Sequence, residues 1–168
     1  MIVRPETAAD LAAIHEINTL AFGRDSEARL VDAIRASNDF VPGLSLVAEQ
    51  DGRVVGHILF SQIHIRSERT LIAALALAPM AVHPDLQNQG IGSRLVRDGL
   101  AACRRLGHRI VVVVGHPNYY PRFGFTSARA LGLQSPYPDP VFMAQELEPG
   151  ALRAVSGTVE YPPSFHSV

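Results

Sequence analysis

Apolar residues along this chain recur with two periods, one helical and one extended, and the switches between them mark the elements. Ile2-Val3-Arg4 reads as a short strand. A helix is expected from Thr7-Ala8-Ala9-Asp10, with Leu11, Ile14, Ile17, Ala21 and Phe22 at helical spacing. The Thr7 hydroxyl is placed to cap a free N–H, and Asp10 to favour the positive helix end. A second amphipathic helix spans Ser26 to Ala36, with Leu30, Val31 and Ile34 inward. Strands follow over Leu44 to Glu49 and Val54 to His64, joined by Gln50-Asp51-Gly52-Arg53, a hairpin signal. Leu71 to Val82 is nearly all apolar, as suits a central strand covered on both faces, and Pro84 ends it. Ile91, Leu95, Val96, Leu100, Cys103 and Leu106 then describe a helix that Gly107 stops. Arg109 to Val114 is another buried strand, and two such strands joined by a helix imply a βαβ unit with parallel strands. Phe142 to Leu147 is one more strand, and the remainder beyond Phe125 reads as Pro-rich loop.

Composition adds bounds to this mixed α/β pattern. A length of 168 residues predicts one domain, and 47% apolar residues supply a packed core. A formal net charge of −1 offers no bulk attraction for nucleic acid or an anionic membrane. No apolar run reaches the ~18 residues of a membrane span, and the N-terminus lacks the pattern of a signal peptide, so a soluble cytoplasmic protein is expected. Cys103 is the only cysteine; on the apolar face of a helix it is expected to be a buried, inert thiol. The histidines show no metal-ligand spacing, so no metal is predicted.

Candidate chemistry centres on Val82-His83-Pro84-Asp85-Leu86-Gln87-Asn88-Gln89-Gly90-Ile91-Gly92-Ser93, which joins a buried strand to a helix. The first turn of a helix carries unpaired N–H groups and a positive dipole end, so such a turn holds an anion without a lysine. Gly90 and Gly92 let the backbone approach a phosphate with no Cβ in the way. The lysine of a nucleotide triphosphatase loop is missing, and Gly-x-Gly in mid-chain does not match the dinucleotide fingerprint.

The pattern Gln-x-x-Gly-x-Gly over Gln87 to Gly92 resembles the pyrophosphate loop of the GNAT N-acetyltransferase superfamily. A second element, Tyr120-Pro121-Arg122-Phe123-Gly124-Phe125, is similar to the Tyr-x-x-x-Gly-Phe segment that follows the fifth strand in that superfamily. Val54 to Ser61, the paired tyrosines and the ending Gly157-Thr158-Val159-Glu160-Tyr161 extend the resemblance to its YhbS-like branch. The resemblance implies the GNAT fold: a twisted mixed sheet of six or seven strands with about four helices, whose fourth and fifth strands splay apart to admit the coenzyme.

It also implies roles. The coenzyme is acetyl-CoA, a co-substrate. Backbone N–H groups of Gln87, Asn88, Gln89, Gly90, Ile91, Gly92 and Ser93 would bind its pyrophosphate, with the Gln87 side chain orienting the turn. Met80, Ala81 and Val82 would pair with the pantetheine arm, and the Val82 N–H would stabilise the oxyanion. Asn118 is a further coenzyme-contact candidate; it lies only two residues before Tyr120, a shorter spacing than many relatives have. Tyr120 occupies the position of the acid that protonates the departing thiolate, with Tyr119 as its neighbour and substitute.

An amine acceptor is mostly protonated at neutral pH and needs a base. Glu49, His57, His64, His116 or a water chain are the candidates. His57 and His64 are seven residues apart on one strand and therefore on opposite faces. The expected activity is acetyl transfer to the primary amine of a small molecule or peptide. The alternatives are a non-catalytic acyl-CoA sensor, a longer acyl chain, or a hydroxyl acceptor. Near-neutral charge argues against a polyanionic acceptor, and Ser135-Pro136-Tyr137-Pro138-Asp139-Pro140 is expected to border the acceptor cleft. Relatives commonly dimerise through C-terminal strands, so the resemblance also suggests a homodimer.

Overall fold

The computed structural model describes residues 1–166. The chain forms β1 (Ile2–Pro5), α1 (Leu11–Phe22), α2 (Ser26–Arg35), β2 (Phe40–Gln50), β3 (Arg53–Ser67), β4 (Thr70–Val82), α3 (Ile91–Arg105), β5 (Ile110–Val114), β6 (Thr126–Ser127), β7 (Leu133–Gln134), β8 (Phe142–Glu146) and β9 (Gly157–Glu160). The sheet runs β1-β2-β3-β4-β5-β8-β6, while β9 pairs with both β3 and β7. Nine strands exceed the expected six or seven because β6 and β7 are two-residue pairings inside the segment read as loop. β9 was also hidden there, since its short run Gly157-Thr158-Val159-Glu160 has no alternation long enough to stand out. Three α-helices stand beside several single 3-10 turns, where about four helices were expected.

Helices cover both faces of the sheet. The stripe Leu95, Val96, Leu100 and Cys103 of α3 packs on Leu46, Ile58, Phe60, Leu75 and Val111. On the other face Ile14 of α1 and Val31 and Ile34 of α2 pack against Val47 and Leu59. A third cluster gathers Ile63, Ile65, Ala76, Val112, Phe142 and Val159 around the β8–β9 end. Cover on both faces explains why β4 and β5 carry nearly uninterrupted apolar runs.

The start of α1 departs from expectation. Thr7 and Asp10 form a capping box, in which the Thr7 hydroxyl and N–H both reach Asp10 Oδ2, at 3.1 and 2.7 Å. Asp10 also accepts from both terminal nitrogens of Arg4, at 2.8 and 3.0 Å, and a 3-10 turn over Ala8–Asp10 precedes the helix. Those contacts hold the Asp10 carboxyl at about 2, Arg4 being the main cause.

The feature that positions the site is a break in strand pairing. β4 and β5 are parallel and pair only from Leu75–Val111 to Leu77–Val113. On the other side of β4 the register to β3 steps from Phe60–Leu77 to Ile58–Met80, so β4 carries one extra residue there. The Ala78–Pro79 peptide in that bulge is cis. Beyond it β4 stays with β3 while β5 continues with β8, so the edge of β4 from Pro79 to Val82 faces open space.

Candidate active site

Between the diverging β4 and β5 lies a cleft of about 990 Å³. Its walls are the free β4 edge, the turn leading into α3, the β5 end with Tyr119 and Tyr120, and a group from the α1–α2 corner and the C-terminal segment.

Ladder parity fixes what the β4 edge offers. The His83 N–H bonds Val55 O at 2.9 Å, so His83 and Val55 are a hydrogen-bonded pair. Two residues earlier, Ala81 opposite His57 is the next such pair, and the backbone groups of Met80 and Val82 point away from β3 into the cleft. Ala81 also lines the cleft but commits its amide to the sheet. The Val82 carbonyl is taken by the Gln87 side chain, whose Nε2 donates to it at 3.1 Å. That bond ties the turn to the strand end.

The turn itself passes through left-handed conformations at Asn88 (φ 63°) and Gly90 (φ 88°). Asparagine tolerates this region and glycine enters it freely. No side chain caps α3, and its first helical bond is Arg94 N–H to Gly90 O at 3.0 Å. The N–H groups of Ile91, Gly92 and Ser93 therefore have no helical acceptor. Gly92 sits where the elements converge: a Cβ there would lie 3.0 Å from Tyr119 Oη and 3.2 Å from Met80 Cε. Gln87, Asn88, Gly90, Ile91, Gly92 and Ser93 all line the cleft, whereas Gln89 is exposed and outside the lining. Asn118 is likewise exposed and outside the lining.

The two tyrosines are held differently. Tyr119 Oη lies 3.3 Å from Ser93 Oγ, and the Arg122 guanidinium stacks 4.5 Å above its ring. Tyr120 is 7% exposed, edge-on to Tyr119 at 5.2 Å and to Phe125 at 5.8 Å. Its hydroxyl has no hydrogen-bond partner among the described residues, and the side chain lines the cleft. Burial, helped by Tyr119, pushes the Tyr120 phenol up to about 12, so it keeps its proton throughout the neutral range.

Of the four base candidates only His116 lines the cleft. Glu49 turns to Arg4 at 3.4 Å. His64 is exposed on the opposite face of β3 from His57, and neither lines the cleft. His57 is fully buried between Asn18 Nδ2 at 3.2 Å and Ser45 Oγ at 2.9 Å, and Ser45 in turn donates to Glu6. Burial lowers His57 to about 4, so it is a neutral structural ring. Cys103 is buried and pushed up to about 12 by desolvation, an inert thiol as expected. Among the described residues no group of three or more His, Cys, Asp or Glu is arranged to hold a metal ion.

Sequence reasoning missed the far wall. Phe22, Arg24, Glu27 and Leu30 line it from the α1–α2 corner, together with Tyr137, Tyr161 and Phe165. Tyr137 does come from the Pro-rich stretch expected at this border. Glu27 gave no signal, because an acid in the first turn of a helix reads as an ordinary dipole partner.

A strand edge, an uncapped helix start and a buried phenol meeting at one splayed parallel pair suit a thioester coenzyme. The family model for the acetyltransferase (GNAT) family matches residues 11–125, more than half of the chain. The chain belongs to the GNAT acetyltransferase family. It is 32% identical over 168 residues to the uncharacterized N-acetyltransferase YhbS of Escherichia coli K12, covering 99% of each chain. It is 41% identical over 133 residues to the uncharacterized N-acetyltransferase YjhQ of the same strain, covering 79% of this chain and 74% of the relative. Its structure resembles that of YhbS in complex with CoA, with a TM-score of 0.90, 32% identity and 98% and 91% coverage. It also resembles a GNAT acetyltransferase from Brucella melitensis in complex with acetyl-CoA, with a TM-score of 0.80, 34% identity and 98% and 97% coverage. The mixed α/β sheet opened at β4 and β5 is thus the fold of the GNAT family.

Proposed function

We propose that this protein binds acetyl-CoA in the cleft between β4 and β5 and transfers the acetyl group directly to a primary amine. The observation that carries the reading is the convergence at Gly92. There the uncapped start of α3, the free β4 edge and Tyr119 meet at distances that a single added Cβ would fill. The likeness to GNAT structures solved with CoA and acetyl-CoA supports the choice of coenzyme.

The acetyl thioester supplies an activated carbonyl when bound. The N–H groups of Ile91, Gly92 and Ser93 at the positive end of α3 hold the pyrophosphate. Asn88 and Gly90 shape that turn, and Gln87 locks it to Val82. Met80 and Val82 present backbone groups to the pantetheine amides, and the Val82 N–H stabilises charge on the carbonyl oxygen, a contact worth about 3–4 kcal/mol in comparable sites. Gln89 and Asn118 lie outside the lining and are not assigned a coenzyme contact.

Tyr120 serves the departing sulfur. Among the described residues its hydroxyl has no hydrogen-bond partner, and Tyr120 lines the cleft. With the phenol raised to about 12, outright transfer to an ordinary thiolate would be uphill by roughly 5 kcal/mol. The hydroxyl therefore hydrogen-bonds the developing charge, and the proton follows only as the bond breaks. Tyr119 is occupied by Ser93 and Arg122 and supports the loop. His116 is the one earlier base candidate with access to the cleft, and a water chain from it can take the ammonium proton.

Titration with acetyl-CoA by calorimetry tests the binding; no heat at millimolar coenzyme overturns the reading. Tyr120→Phe should lower turnover about a hundredfold with coenzyme affinity nearly unchanged. Full activity in that variant would remove Tyr120 from the chemistry. Coenzyme binding with no thiol release across an amine panel would favour a sensor.

A further inference from the structure

The part of the cleft lined by the α1–α2 corner and the C-terminal segment has its own chemistry. Among the described residues lining the cleft, Glu27 is the one carboxylate. Its side chain is 13% exposed, and among the described residues it pairs with Arg24, whose Nε donates at 2.7 Å and whose side chain is 68% exposed. Three aromatic rings line the same cleft, and Phe165 among them packs against the cluster that holds Val31 and Ile34 of α2. Tyr137 and Tyr161 meet edge-to-face at 5.7 Å, and Tyr161 and Phe165 at 5.3 Å. Phe22 and Tyr137 remain 40% and 39% exposed, a large apolar surface at a cleft mouth. The Tyr161 hydroxyl is buried without a hydrogen-bond partner among the described residues, an open polar position in this aromatic wall.

Resting on the acetyl-transfer reading above, we infer that Glu27 and the Tyr137–Tyr161–Phe165 wall select a protonated primary amine carried on an aromatic body. The chemistry matches on each side. An amine near pKa ~10 arrives as ammonium and gains most from a shielded carboxylate. Aromatic faces attract both a flat apolar body and the adjacent positive charge. Arg24 holds the place of that cation in the free protein. Because it is mostly in solvent, its pair with Glu27 contributes little and exchanges readily for a ligand cation. A purely aliphatic polar acceptor would bring no flat apolar body to the four rings, with little to offset its loss of water.

Calorimetry with CoA present, which occupies the coenzyme site without turnover, tests this with three probes: phenethylamine, butylamine and phenethyl alcohol. Phenethylamine should bind at least about tenfold tighter than either of the others. Glu27→Gln should weaken phenethylamine by about tenfold and leave phenethyl alcohol unchanged. Tyr161→Leu should erase the preference for phenethylamine over butylamine while the requirement for the charge persists. Unchanged CoA affinity in each variant shows that the cleft is intact. Equal binding of phenethylamine by the unmodified protein and Glu27→Gln, or butylamine binding as tightly as phenethylamine, overturns the acceptor assignment alone. Failure of CoA itself to bind the unmodified protein overturns the acetyl-transfer reading with it.

Discussion

Acidification should destabilise this protein through one ring. His57 is 0% exposed, and its surroundings are built for the neutral form. Asn18 Nδ2 donates to Nδ1 at 3.2 Å, which puts the proton on Nε2, facing Ser45 Oγ at 2.9 Å. A second proton on Nδ1 would confront the Asn18 amide donor to donor. Turning that amide over would sacrifice its 3.0 Å bond to the Ile14 carbonyl. Burial is the main cause that lowers the ring to about 4, while Glu6 pulls the other way and Arg35 adds to the lowering. An unfolded chain takes up its proton near pKa ~6.5, so this stabilisation is complete above that pH and is lost as pH falls toward 4. Linkage makes the loss about 2 kcal/mol by about pH 5 and about 3 kcal/mol by about pH 4. Asp10, held at about 2, acts only below this window, and Glu6, also lowered, acts near its lower end. Urea denaturation of the unmodified protein and of His57→Gln at several pH values isolates the ring. Between about pH 7 and pH 5 the unmodified protein should lose about 2 kcal/mol more than the variant. Parallel pH profiles, or an NMR titration showing the His57 ring charged at pH 5, would refute the reasoning.

Three further outcomes follow from packing. Gly92→Val should abolish coenzyme binding while the circular dichroism spectrum stays native, because its Cβ would meet Tyr119 Oη at 3.0 Å and fill the approach to the α3 amides; retained affinity would move the pyrophosphate elsewhere. Leu95→Ala, at a fully buried position between α3 and the sheet, should cost about 3 kcal/mol in urea denaturation. Cys103, buried and raised to about 12, should stay unreactive to a disulfide reagent in the native protein and react on unfolding, so it adds no background to thiol-release assays.

The sequence by itself determined the elements with long, consistent periodicity and the backbone-built part of the site. Uninterrupted apolar runs at Leu71–Val82 and Ile110–Val114, with a strong helical stripe between them, left one arrangement for β4, α3 and β5. Gln87, Gly90 and Gly92 announced their turn because backbone geometry needs those residue types at that spacing. The short strands β6, β7 and β9 are defined by the neighbouring strands that pair with them, so local pattern did not reveal them. Side-chain roles also waited for the tertiary structure. Seven residues apart on β3, His57 and His64 read alike in sequence; packing buried one beneath α1 and left the other in solvent. Neighbours in sequence, Tyr119 and Tyr120 were divided by Ser93 and Arg122, which engage the first, whereas the second hydroxyl has no partner among the described residues. Glu27 and Tyr161 stand 134 positions apart and share one cleft only because β4 and β5 separate between them. Spacing is a local quantity, whereas burial and convergence are decided by chain segments that meet only when the sheet closes.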